Sequence, residues 1–237
     1  MKRHFCLLAL PLLLAAGTAS TQEPPPPAAS APAARVGFQM ALRTGYMLPL
    51  GTVHGDAPTP GFGPADIGMS ESFSGQVPIF VEIGGKVGPA VFVGGYFGLA
   101  FGGPGSLYDL ACRQGGTTCV AVGVRFGAEV QYHILPAQLA NPWIGYGIGF
   151  ESIALGESRN GQSTTSSLSG FELAHLMGGI DFRLSRVFGL GPYVDFSVGQ
   201  YARSHVELSG GFSRDADVQN TRTHEWLALG VRGTFFP

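Results

Sequence analysis

Apolar and other residues alternate along the chain in eight separate stretches. The longest clean example runs over residues 120–134. Val120, Val122, Val124, Phe126, Ala128, Val130, Tyr132 and Ile134 fall on one side of it, and Gly123, Arg125, Gly127, Glu129, Gln131 and His133 on the other. A period of two places these sets on opposite faces of a strand. Fifteen residues is roughly two to three times the usual soluble strand, and matches a tilted span of a bilayer with its interfaces. The apolar face therefore suits lipid better than a second sheet.

The same alternation predicts strands over 36–48, 77–87, 90–101, 120–134, 143–154, 171–184, 192–201 and 224–236. Residues 88–89, 136–142 and 185–191 between them are short and carry Gly or Pro, the chemistry of tight turns. Residues 51–76, 102–119, 156–170 and 202–223 are long and polar. Short and long connections alternate strictly, so all the short ones fall at one end. The fold class this predicts is all-β, an eight-stranded antiparallel up-and-down transmembrane β-barrel. Its asymmetry is that of outer-membrane barrels, with short periplasmic turns, long extracellular loops and both termini periplasmic.

The face opposite the apolar one carries Arg43, Lys86, Arg125, Arg183 and Arg232 together with Glu82, Glu129, Glu151, Asp181 and Asp195. Unpaired buried charge is costly, so these ten predict a paired network. Eight strands leave a lumen only wide enough for side chains. A plugged interior follows rather than an open pore.

Ahead of the barrel, Lys2 and Arg3, the apolar run 5–16 and the small residues Gly17, Thr18 and Ala19 read as a signal peptide over 1–19. Its core is too short for a spanning helix. Residues 20–35, rich in Pro and Ala, read as an extended periplasmic spacer, leaving 36–237 as the barrel. Loss of the leader removes two of the 14 basic residues, leaving 12 against 16 acidic ones and a net charge of −4. Nothing in that balance points to nucleic acid. No segment offers the run of about 18 apolar residues a helical span needs.

The mature chain retains two cysteines, Cys112 and Cys119, flanking Gly115-Gly116 in one loop. In an exported protein they predict a disulfide pinning that loop. Two buried thiols are the alternative, and a metal site is disfavoured because no His or further Cys shares the loop.

Candidate chemistry is thin, and no cofactor or metal site is expected. Gly145, Gly147 and Gly149 do not fit a nucleotide-binding loop and suit a crowded barrel interior instead. His224-Glu225 starts a zincin-like pattern that fails at Ala228. His205 with Ser204 and Glu207 is the best local grouping for catalysis, against a solvated loop histidine as the plain reading. His175 faces inward near Asp181 or Glu172 and reads as part of the polar network. Trp143, Tyr132, Phe235 and Phe236 towards one end, and Tyr46 and Phe101 towards the other, read as interfacial aromatics.

On this topology and on its last strand, Trp226 to Phe236, the chain resembles the small outer-membrane β-barrels of Gram-negative bacteria, the OmpA-, OmpX- and OmpW-like proteins. In that resemblance Trp226, Leu229, Val231, Phe235 and Phe236 look like the terminal assembly signal, with Pro237 following. It implies periplasmic chaperones, the barrel-assembly machinery, and outer-membrane lipid and lipopolysaccharide as partners. The leading expectation is a non-enzymatic integral outer-membrane protein with a structural or surface-contact role through four long loops. A narrow OmpW-like passage for small apolar solutes, lined by Phe80, Phe92 and Tyr96, is the alternative. A lipid A-modifying barrel enzyme is the third.

Overall fold

The structure, a computed structural model, describes residues 36–59 and 62–236. The predicted leader and spacer lie outside the described residues. The elements are β1 (Gly37–Thr59), β2 (Phe62–Gly68), α1 (Met69–Ser72), β3 (Phe73–Val87), β4 (Val91–Pro104), α2 (Ser106–Cys112), β5 (Thr117–His133), β6 (Ala140–Arg159), β7 (Gln162–Arg183), β8 (Phe188–Leu208), β9 (Phe212–Asp217) and β10 (Thr223–Phe235). Eight of them form a closed antiparallel ring, β1-β3-β4-β5-β6-β7-β8-β10, in which β10 pairs both β8 and β1. Closure satisfies every strand edge within the ring, which hydrocarbon demands of any sheet crossing it. No helix among the described residues is long and apolar enough to cross a membrane.

The two faces separate as the alternation predicts. Phe38, Leu42, Ile83, Phe126, Ile148 and Leu229 are exposed on the outer surface of the ring. Their neighbours Gln39, Arg43, Glu82, Arg125 and Gln131 are buried inside. An exposed apolar belt of this extent is the surface a bilayer solvates, since a soluble protein would have to cover it.

Strand ends differ from the sequence reading at the long-loop end. Residues 156–170 are not a loop: β6 and β7 continue as a hairpin closed by Asn160 (φ 49°) and Gly161 (φ 79°). Positive φ at both central residues is the turn that matches the strand twist, and Asn-Gly supplies it. Residues 202–223 likewise hold the continuation of β8 and its hairpin with β9, and residues 51–76 hold the β1–β2 hairpin and α1. Beyond the lipid neither face needs to be apolar. The ladder therefore continues there without the alternation that reveals a strand.

Across the β1–β10 seam Gly45 faces Gly230 in register. A Cβ on Gly45 would stand 2.1 Å from the Leu229 carbonyl oxygen, and one on Gly230 2.0 Å from that of Thr44. Only glycine admits this approach of the first and last ring strands.

Candidate functional site

The lumen is filled, in two strata. Nine of the ten predicted interior charges are buried: Arg43, Glu82, Lys86, Arg125, Glu129, Glu151, Asp181, Asp195 and Arg232. Arg183 is only half-buried, at the short-turn rim, where its Nη2 donates to the Pro136 carbonyl at 3.0 Å.

Towards the short-turn end Glu82 lies between two guanidinium groups. Arg43 Nε stands 2.5 Å from its Oε1 and Arg232 Nη2 2.7 Å from its Oε2. Arg232 Nη1 reaches Asp181 at 2.7 Å, and Gln131 links Glu82 (2.9 Å) to Glu129 (3.0 Å). Arg43 Nη1 continues the chain to Asp195 at 2.7 Å, and Asp195 meets His175 Nε2 at 2.6 Å. Nearer the loops Arg125 forms an ion pair with Glu151 at 3.0 Å and stands 3.5 Å from Glu172. Tyr96 donates to Glu172, and Tyr201 to Glu151, which also receives the Trp226 Nε1 proton at 2.9 Å.

Glu172 is an interior residue the alternation missed. It and His175 are three positions apart, so strict alternation would turn them to opposite faces. A β-bulge between Glu172 and Ala174 shifts the register, resets the phase, and leaves the two 3.6 Å apart, both fully buried. With Glu172 inside and Arg183 at the rim, the buried interior holds six carboxylates and four cationic side chains. His175 and His224 each stand against a carboxylate, His224 3.4 Å from Glu151.

Two further positions differ from the sequence reading. Trp143 is not an interfacial anchor: it is buried in the lumen with the Arg232 guanidinium 4.2 Å above its ring. Trp226 also faces inward, with Arg125 5.3 Å from its ring centre. The negative face of each indole's quadrupole attracts the cation beside it. Of the remaining last-strand positions, Leu229, Val231 and Phe235 face outward, while Phe236 is half-buried with Lys86 Nζ 5.4 Å from its ring.

Phe80, Phe92 and Tyr96 are buried and packed into this network rather than lining an open apolar passage. Inward glycines make the room: a Cβ on Gly149 would lie 2.3 Å from the Tyr96 hydroxyl. Above the charges, the loop end is closed by an apolar cluster that includes Met47, Val53, Met69, Phe73, Ile153 and Leu155. Met69, on α1, is fully buried there. The sequence offered no signal for this plug, because one four-residue helical turn has no measurable periodicity.

Cys112 and Cys119 form a disulfide that ties α2 to the start of β5. His205 pairs with neither Ser204 nor Glu207. Its Nδ1 meets Asp215 Oδ1 at 2.8 Å across the β8–β9 hairpin. Ser204 Oγ donates to the Ala216 carbonyl, and Ser167 Oγ to the His205 carbonyl rather than to its ring. Among the described residues no group of three or more His, Cys, Asp and Glu side chains is placed to hold a metal ion.

No protein-family model matches this sequence, and no curated protein matches it. Among solved structures it is similar to a major outer membrane protein from Thermus thermophilus, at 13% identity and a TM-score of 0.52 over 85% of this chain and 99% of that one. It is also similar to OprG from Pseudomonas aeruginosa (11% identity, TM-score 0.49, 85% and 98% covered). A third is the outer membrane protein AlkL (14%, 0.47, 91% and 98%). The first of these likenesses establishes the fold.

Proposed function

We propose that this chain, which has the fold of the small outer-membrane β-barrels, is an integral outer-membrane protein with a sealed lumen. It is non-enzymatic, and its structural or surface-contact role is carried by the extended hairpins at the loop end. The observation that carries this reading is the pairing of two barriers inside one ring. The ion-paired stratum from Glu82 to Glu151 blocks the middle, and the plug around Met69 and Phe73 blocks the loop end. An ion crossing would have to break several buried pairs and then shed its water against apolar side chains, each step costing several kcal/mol.

A surface role also fits where the chain invests its length. The β6–β7 and β8–β9 hairpins stand beyond the apolar belt, and the disulfide stiffens the α2 loop between β4 and β5. In this reading the loop end is extracellular and both termini are periplasmic. The test is labelling of intact cells that carry an epitope at Asn160–Gly161 in one strain and at the start of the mature chain in another. The hairpin epitope is stained on whole cells, and the terminal one only after the outer membrane is permeabilised. The reverse pattern, or recovery of the protein in the soluble fraction, contradicts the proposal.

A further inference from the structure

Directly above the plug, between the β1–β2, β6–β7 and β8–β9 hairpins and α2, lies a cavity of about 120 Å³ that the sealed lumen does not use. Its floor is apolar, with Val53, Phe73 and Leu155 all buried. Its upper wall carries hydroxyls and one imidazole, from Ser166, Ser204 and His205. An apolar cavity of roughly 150 Å³ takes a molecule the size of benzene, so the space is of ligand size but has one polar side.

We propose that this cavity is a binding site for a small neutral molecule with a compact apolar body and one hydroxyl group, an alcohol or phenol. The floor excludes charge, because a buried ion there would have no counter-charge among Val53, Phe73 and Leu155. The wall selects for a hydroxyl. The 2.8 Å contact between His205 Nδ1 and Asp215 Oδ1 orients the imidazole and leaves its Nε2 as the ring nitrogen available to a ligand hydroxyl, which can both donate and accept. Tyr108 of α2 also lines the cavity, and its phenol hydroxyl can donate to a ligand oxygen. The disulfide at Cys112 holds α2, and with it Tyr108, in place. Since the plug closes the cavity from below, the site retains its ligand at the cell surface and does not pass it inward. The inference rests on the reading that the loop end carries the function.

The test is saturation-transfer NMR and titration of benzyl alcohol and toluene against the refolded mature barrel in detergent, with heat-modifiable migration confirming the fold of each variant. Benzyl alcohol binds the parent protein about tenfold more tightly than toluene, the worth of one hydrogen bond. Ser204→Trp, which fills the cavity, abolishes binding of both probes, and His205→Leu removes the preference while leaving toluene unchanged. Equal binding of the two probes, binding that survives Ser204→Trp, or no binding to the parent protein overturns the proposal. A conducting lumen would sink the sealed-barrel reading while leaving these outcomes intact, so the two failures are distinguishable.

Discussion

Arg43 and Arg232 stand directly opposite each other across the β1–β10 seam, both fully buried. Like charges in that position repel. Both are held by one carboxylate, Glu82, with one oxygen at 2.5 Å from the first and the other at 2.7 Å from the second. A residue of neither strand therefore bridges the seam from inside the ring, with Asp195 and Asp181 taking a further nitrogen of each guanidinium.

Glu82→Gln leaves two buried guanidinium groups facing each other without the charge between them. The expected loss is about 3–5 kcal/mol, the usual cost of removing one partner of a buried pair. Urea unfolding in lipid vesicles measures it. Glu82→Gln combined with Arg232→Gln should lose less than the two single changes added together, because each single change strands the other's charge. Strict additivity would show that the two residues do not act as a pair.

The outward face should be intolerant of charge only within the lipid belt. Leu229 is exposed on β10, opposite Tyr46 and Val194, and Leu229→Arg should cost about 2–4 kcal/mol of insertion free energy. Leu110 of α2 is more exposed still, at 83% against 56%, yet Leu110→Arg should leave folding and insertion unchanged because water surrounds it. Equal damage from the two, scored by heat-modifiable migration from membrane fractions, would contradict the belt assignment.

Reduction of Cys112–Cys119 should loosen one loop and nothing else. The bridge closes a short loop with a separation of 7 residues, worth roughly 2–3 kcal/mol of chain entropy. Hydrogen exchange over 106–116 should accelerate on reduction, while β5 beyond Val120 keeps its protection. Loss of protection throughout the ring would mean that the bridge supports the barrel itself.

Much of this molecule was legible in its alternation, for a physical reason. Lipid on one side and a crowded polar lumen on the other force every ring residue to choose a face, so Arg43, Glu82, Arg125 and Arg232 are assigned by parity alone. Parity failed where that constraint is absent or locally reset. The Glu172 bulge shifts the phase by one residue. The hairpin strand 163–169, mostly Ser and Thr, has water on offer to both faces and so carries no alternation. Trp143 fits an interfacial belt by type, but its parity with Asn141 turns it inward, and Arg232 gives its ring a partner there. The loop-end cavity and the plug are assembled from several connections far apart in sequence. No local pattern records such proximity.

The sealed lumen is tested most directly by planar-bilayer recording of the mature barrel, refolded and shown to be heat-modifiable. Membranes holding the inserted protein should show no stable conductance step above the bare bilayer in molar salt. A reproducible, long-lived open level from the parent sequence would contradict both the ion-paired barrier and the plug above it.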